Sequence, residues 1–183
     1  MMTFLRFVTP RGIEASVYNH AEADAVVSHI VARYRAGDHG SIVLIGHSLG
    51  AHAVMLMAQS LNRLGIPVAL VVPFDGTASY EAPKNVACVL NVTQRAYSYI
   101  HPGVGFHGKL SNLDVRGDPG IDHFTIDKAP RLQAYALKSI LEAANEESCR
   151  PDAGTSTSAK LKDGRTSRVA AHAPKSSKPI GAF

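Results

Sequence analysis

The sequence predicts an α/β fold, a three-layer sandwich with helices on both faces of a mostly parallel sheet. Three observations carry that expectation. Residues 41–46 (Ser-Ile-Val-Leu-Ile-Gly), Val68–Phe74 and Val86–Val92 are unbroken apolar runs. Such runs suit strands buried on both faces of a parallel sheet, where a half-exposed strand would alternate. A segment with apolar residues at 3.6-residue spacing precedes these runs, and further helices are expected between them or after them. Strands alternating with helices imply βαβ units, right-handed crossovers and layered packing.

Taken in order, the first element is a short strand at 13–18 (Ile-Glu-Ala-Ser-Val-Tyr). A helix follows at about 21–35, with Ala23, Val26, Ile30 and Tyr34 on one face. Glu22 and Asp24 fall in its first turn and Arg33 and Arg35 in its last, as the helix dipole favours, and Gly37 can cap its end. The first apolar run leads into a second helix at about 49–63, which ends before Gly65. The last helix is expected at about 130–144. Pro130 suits its first turn, and Leu132, Tyr135, Ala136 and Ile140 give its apolar face. The glycine-rich stretch from Tyr97 to Gly120 reads as a mobile loop.

Beyond this body the pattern stops. Residues 1–147 read as one α/β domain, and 148–183 as a disordered basic tail rich in Ser, Ala, Lys and Pro. With almost no large apolar residues, the tail cannot offset the entropy of ordering itself. From Arg150 onward it holds seven Lys or Arg against Asp152 and Asp163, a charge of +5. The whole chain carries only +4, so the body is close to neutral at −1. Nucleic-acid binding is therefore not expected, since such a body would carry the basic footprint itself.

Two cysteines, Cys88 in an apolar run and Cys149 near the tail, exclude a disulfide framework, and a bridge between them is not expected. No apolar stretch reaches the ~18 residues that cross a bilayer. The start, Met-Met-Thr-Phe-Leu-Arg-Phe-Val, lacks the basic-then-apolar plan of an export signal. As written, the chain reads as soluble and cytoplasmic, provided Met1 is the true start.

The strongest chemical signal is Gly46-His47-Ser48-Leu49-Gly50-Ala51. Gly-x-Ser-x-Gly alone is a weak motif, but here it directly follows an apolar strand and opens an apolar helix. A turn this tight strains the serine backbone and leaves no room for side chains at 46 and 50. The hydroxyl then stands clear at the C-terminal edge of the sheet. The Leu49 N–H and the helix dipole lie beside it, suited to an oxyanion.

With those residues the chain resembles the α/β-hydrolase family of lipases, esterases and thioesterases, over about residues 12–145. The resemblance implies the chain order Ser, acid, His. It also implies a histidine after the last strand and just before the last helix, the place of His123 in Asp122-His123-Phe124-Thr125-Ile126-Asp127. His123 would take the Ser48 proton and return it to the leaving group. His47 and His52, flanking the serine, read as supporting or packing residues.

The expected acid is Asp75, at the end of Val68–Phe74 and on the same sheet edge as Ser48. The family more often carries its acid one strand later, but that strand leads into Thr93-Gln94-Arg95, with no carboxylate. Asp114 and Asp118 are reserves. Asp122 is a poor partner, because adjacent side chains diverge.

Gly103-Val104-Gly105-Phe106-His107-Gly108 fits a dinucleotide pattern but follows Pro102 and opens no helix, so the phosphate-binding setting is missing. Asn91-Val92-Thr93 matches a glycosylation acceptor on what should be a buried strand, and is discounted. No metal motif is present and no cofactor is expected.

The activity implied by the resemblance is hydrolysis of small carboxylic esters or thioesters through an acyl-enzyme. The alternative is a catalytically silent domain of the same shape, with a binding role or none. A second oxyanion donor should come from an upstream glycine-rich loop, yet the 45 residues before Gly46 offer only one short strand and one helix. This reads as an N-terminally truncated sheet with one edge exposed and activity impaired. Substrate identity and oligomeric state are not legible.

Overall fold

The computed structural model describes residues 2–8, 12–144 and 157–159. Among the described residues nine strands form, β1 (Met2–Val8), β2 (Gly12–Tyr18), β3 (Ile42–His47), β4 (Val68–Phe74), β5 (Tyr80–Ala82), β6 (Val86–Thr93), β7 (Ile100–Pro102), β8 (Lys109–Asp114) and β9 (Thr157–Ala159). Three α-helices accompany them, α1 (Ala23–Arg35), α2 (Leu49–Arg63) and α3 (Pro130–Ala144). The main sheet runs β2-β1-β3-β4-β6-β8-β9, and β5 pairs with β7 in a small separate sheet. From β3 to β9 every neighbour is parallel; β1 is antiparallel to both β2 and β3.

Alternation along β3 builds the layers. Ile42 and Leu44 join Val26 and Ile30 of α1 and Val54, Met55, Ala58 and Leu61 of α2 in one core. Val43 instead joins Leu132, Ala136 and Ile140 of α3 on the opposite face. With the central strands covered on both faces, the architecture is a three-layer α/β sandwich around a mostly parallel sheet. Burying one such side chain contributes about 1.5–3 kcal/mol, so these two cores dominate the stability.

The three helices match the expected ranges, with α1 preceded by a short 3₁₀ turn at His20–Glu22. Asn19 caps that turn: its Oδ1 accepts from the Ala21 N–H, and its own N–H donates to Glu22. Among the described residues no helix is long and apolar enough to cross a membrane.

Four expectations need correction. Residues before Gly12 are not without a strand: β1 lies between β2 and β3 and covers the edge of β3 that was expected to be exposed. The stretch 97–120 is not simply a loop, since β7 and the interior strand β8 lie within it. Three residues of the tail, Thr157–Ala159, add β9 beside β8, although their composition offers no strand signal; the rest of the tail lies outside the described residues.

Finally, Cys88 is disulfide-bonded rather than free, while Cys149 lies outside the described residues. Cys88 and Glu142 of the last turn of α3 line the same cavity of about 220 Å³. The last turn of α3 therefore lies on the same side of the sheet as Cys88, which spacing in sequence could not show.

Gly108 accounts for part of the discarded dinucleotide pattern. A Cβ there would sit 2.3 Å from the Ala87 carbonyl oxygen, so only glycine lets the chain enter β8 this close to β6. The segment opens no helix, as the sequence indicated, and leads instead into β8.

Candidate active site

The site forms where three parallel strands end in register. His47 pairs with Phe74, and Phe74 with Val92. One residue further, the Ser48 N–H donates to the Phe74 carbonyl at 2.9 Å and the Asp75 N–H to the Val92 carbonyl at 2.8 Å. Ser48 and Asp75 therefore stand side by side on adjacent strands, separated by about the 4.8 Å of a sheet. An imidazole can bridge that gap.

Ser48 leaves the strand at φ 56° and ψ −116°, and α2 begins at the next residue. This left-handed φ is uncommon outside glycine and costs on the order of 1–3 kcal/mol. Gly46 makes the turn possible. A Cβ there would lie 2.1 Å from the Gly50 carbonyl oxygen, a backbone clash with no means of relief. Asp75 is the other non-glycine residue at positive φ among those described, at 44°. Asp tolerates this region better than most residues, and Gly76 follows it.

His123 closes the constellation. Its Nε2 lies 3.0 Å from the Ser48 hydroxyl and its Nδ1 2.7 Å from Asp75 Oδ2. The Asp75 carboxylate accepts from Nδ1–H, which leaves Nε2 bare to accept from the serine. Asp75 is fully buried, with its other oxygen, Oδ1, 3.2 Å from the Gln94 N–H and 3.4 Å from the Thr93 hydroxyl. Ser48 and His123 are half-buried, so the hydroxyl and Nε2 can meet a reactant while the acid stays dry.

The loop carrying His123, between β8 and α3, is tied down at both ends. Asp122 Oδ1 accepts from the Phe124 and Thr125 N–H groups at 2.8 and 2.9 Å. Those bonds, the Phe124 amide first, hold the Asp122 carboxyl below its ordinary range. His47 reaches across from the end of β3 and donates Nε2–H to the His123 carbonyl at 2.7 Å. Its ring packs against the His123 ring with centroids 4.8 Å apart. His47 thus does support the site, as its position beside the serine suggested. His52, one turn into α2, is turned away to hydrogen-bond the Tyr80 hydroxyl.

The reserve acids are engaged elsewhere. Asp114 binds Arg116 and accepts from the Tyr99 hydroxyl at 3.0 Å, and its bond with Arg116 holds its carboxyl below the usual range. Asp118 pairs with Arg131. Asn91 is buried and bonds Asn112 at 2.8 Å and the Ser98 carbonyl at 2.9 Å, occupied by structural contacts.

Sequence reasoning missed Arg95. It follows β6, and its Nη2 lies 3.5 Å from both Asp75 Oδ2 and His123 Nδ1. The triplet Thr93-Gln94-Arg95 drew notice only for lacking a carboxylate, yet all three residues surround Asp75.

The Leu49 N–H opens α2 beside Ser48 and, as a first-turn donor, has no intrahelical acceptor. Leu49, Phe124 and Tyr97 are exposed apolar side chains next to the serine, the histidine and the arginine loop. No family model, curated protein or solved structure matches the chain.

Proposed function

We propose that the chain is a serine hydrolase of the α/β-hydrolase kind, cleaving carboxylic ester or thioester bonds through Ser48, His123 and Asp75. The observation that carries the reading is the unbroken chain Ser48 Oγ–His123 Nε2 (3.0 Å) and His123 Nδ1–Asp75 Oδ2 (2.7 Å), mounted on a serine at positive φ. Two strained residues side by side are an expensive arrangement for a sheet edge, and such strain concentrates where chemistry needs it.

In this reading Ser48 Oγ bonds to the substrate carbonyl carbon as its proton passes to His123 Nε2. The carbonyl π pair moves onto oxygen, where the Leu49 N–H and the positive end of α2 stabilise it. On collapse, the bond to the leaving alkoxide or thiolate breaks and that group takes the proton from Nε2. Water then attacks the acyl-serine by the same relay and releases the acid. Asp75 fixes the ring tautomer and balances the charge that the imidazole gains.

The test is the initial rate on p-nitrophenyl butyrate. Wild-type protein should turn over, and Ser48→Ala should reduce the rate at least about a thousandfold. Equal rates in the two proteins would refute the assignment.

A further inference from the structure

A cation beside the imidazole is unfavourable for the reaction just described, and the position of Arg95 calls for a reason. When His123 takes up the serine proton it becomes positive, and a guanidinium nitrogen 3.5 Å from its Nδ1 opposes that step. The contact does not satisfy the arginine either. Nδ1 already donates to Asp75, so it cannot accept from Nη2, and the 3.5 Å to Asp75 Oδ2 is longer than a good N–H···O bond.

Among the described residues, Arg95 Nε and Nη1 make no hydrogen bond, and the side chain is about one-third exposed (32%). Tyr97 packs over the guanidinium at 6.0 Å and is itself largely exposed. The other charged groups near the ring do not complete the arginine. His47 faces the ring from β3, Asp127 stands 3.9 Å behind His47, and Asp122 is bound to its own loop amides.

We propose that Arg95 recognises an anionic group on the substrate, so that the favoured substrates are esters or thioesters bearing a carboxylate a few carbons from the scissile carbonyl. The inference rests on the hydrolase reading above. A planar guanidinium with unpaired N–H groups matches a carboxylate bidentately, at the mouth of the site and beside the reacting atoms. The bound anion also offsets the cationic field on His123 as the imidazolium forms. Arg95 then favours one substrate class and disfavours neutral esters. The exposed Tyr97 and Phe124 would hold the apolar linker between the two ends of such a substrate.

The experiment compares p-nitrophenyl hexanoate with the mono-p-nitrophenyl ester of adipic acid, similar in chain length but ending in a carboxylate. Wild-type kcat/KM should be about ten- to a hundredfold higher for the anionic ester, the value of one charge-assisted hydrogen bond. Arg95→Gln should abolish that preference and raise the rate on the neutral ester.

A wild type that cleaves the hexanoate but shows no preference for the adipate would overturn this proposal and leave the hydrolase reading standing. A parallel fall of both rates in Arg95→Gln would also overturn it, since that is what a purely structural clamp on Asp75 would give. No turnover of either ester by wild type would overturn both. Should Arg95→Gln fail to fold, the wild-type comparison still decides. Glutarate should then inhibit hexanoate cleavage, and p-nitrophenyl hexanoate turnover indifferent to glutarate would count against the proposal.

Discussion

The interior of the parallel sheet and its C-terminal edge are made of the same three strands, yet they obey opposite rules. Within β3, β4 and β6 most residues are apolar and buried, as at Val43, Leu44, Val71 and Val89, and the buried Asn91 is held by hydrogen bonds to Asn112 and Ser98. Just past the strand ends, that order is given up. Ser48 and Asp75 sit at positive φ, a carboxylate is fully buried, and a cation adjoins a histidine. The interior supplies stability that the edge spends on geometry. Substitutions should therefore separate cleanly: edge residues should change rate more than stability, and interior residues the reverse.

The largest expected effect lies at the acid. Asp75→Asn should lower kcat on the order of 10³–10⁴-fold, because the amide no longer fixes the His123 tautomer. Asp114→Asn, on the same edge but bonded to Arg116, should lower it less than about threefold, within the small range of substitutions away from a functional centre. Steady-state kinetics of the pair checks this. Comparable losses would place the acid in the β8 loop.

The converse is Leu44→Ala, in the middle of β3. It should cost about 2–5 kcal/mol in urea unfolding by opening a cavity against α1 and α2. The fraction that remains folded should keep nearly full kcat. A large kcat loss with little change in stability would remove the contrast between interior and edge.

How much of this was legible in the sequence depended on whether each feature is local. Continuous apolar runs gave β3, β4 and β6, apolar faces gave α1 and α3, and α2 was placed by its position between two apolar runs and ahead of Gly65. β8 was not legible because Lys109, Ser111, Asn112 and Asp114 break its apolar character. Asn112 is tolerated inside because its side chain pairs with both the N–H and the C=O of Ile100, twelve residues away, and accepts from Asn91. β1 is rich in Phe, Leu and Val and is followed by Thr9-Pro10-Arg11 ahead of Gly12, a sequence that could have been read as a hairpin signal.

At the site, Ser48 was legible from a strand–turn–helix motif, and His123 from chain order by way of the family resemblance. Asp75 was a choice among carboxylates that strand register now favours. Arg95 could not be found, since nothing in its neighbours announces that the end of β6 meets the His123 loop.

Two smaller effects sharpen the comparison. His47→Gln should lower kcat about tenfold or less, with little change in the melting temperature, by loosening the hydrogen bond to the His123 carbonyl. Paired rate and melting measurements check it; a melting loss without a rate loss would make His47 a packing residue only.

The smallest concerns acid. The Asp114 carboxyl is held below its ordinary value, so its contribution is present above about pH 3.9 and is lost as the pH falls through the depressed folded value. Wild type should therefore lose stability more steeply than Asp114→Asn below about pH 4 in acid unfolding; parallel curves would remove the Arg116 pairing from the account.

The central claim is that Ser48 is a nucleophile activated by His123. Intact mass after exposure to a fluorophosphonate tests it most directly. Wild type should gain a single phosphonyl adduct that peptide mapping places on Ser48. Ser48→Ala should gain none, and His123→Ala should label at least about a hundredfold more slowly, the scale of a lost general base. Folded wild-type protein that stays unlabelled, or that labels equally fast without His123, would contradict the account.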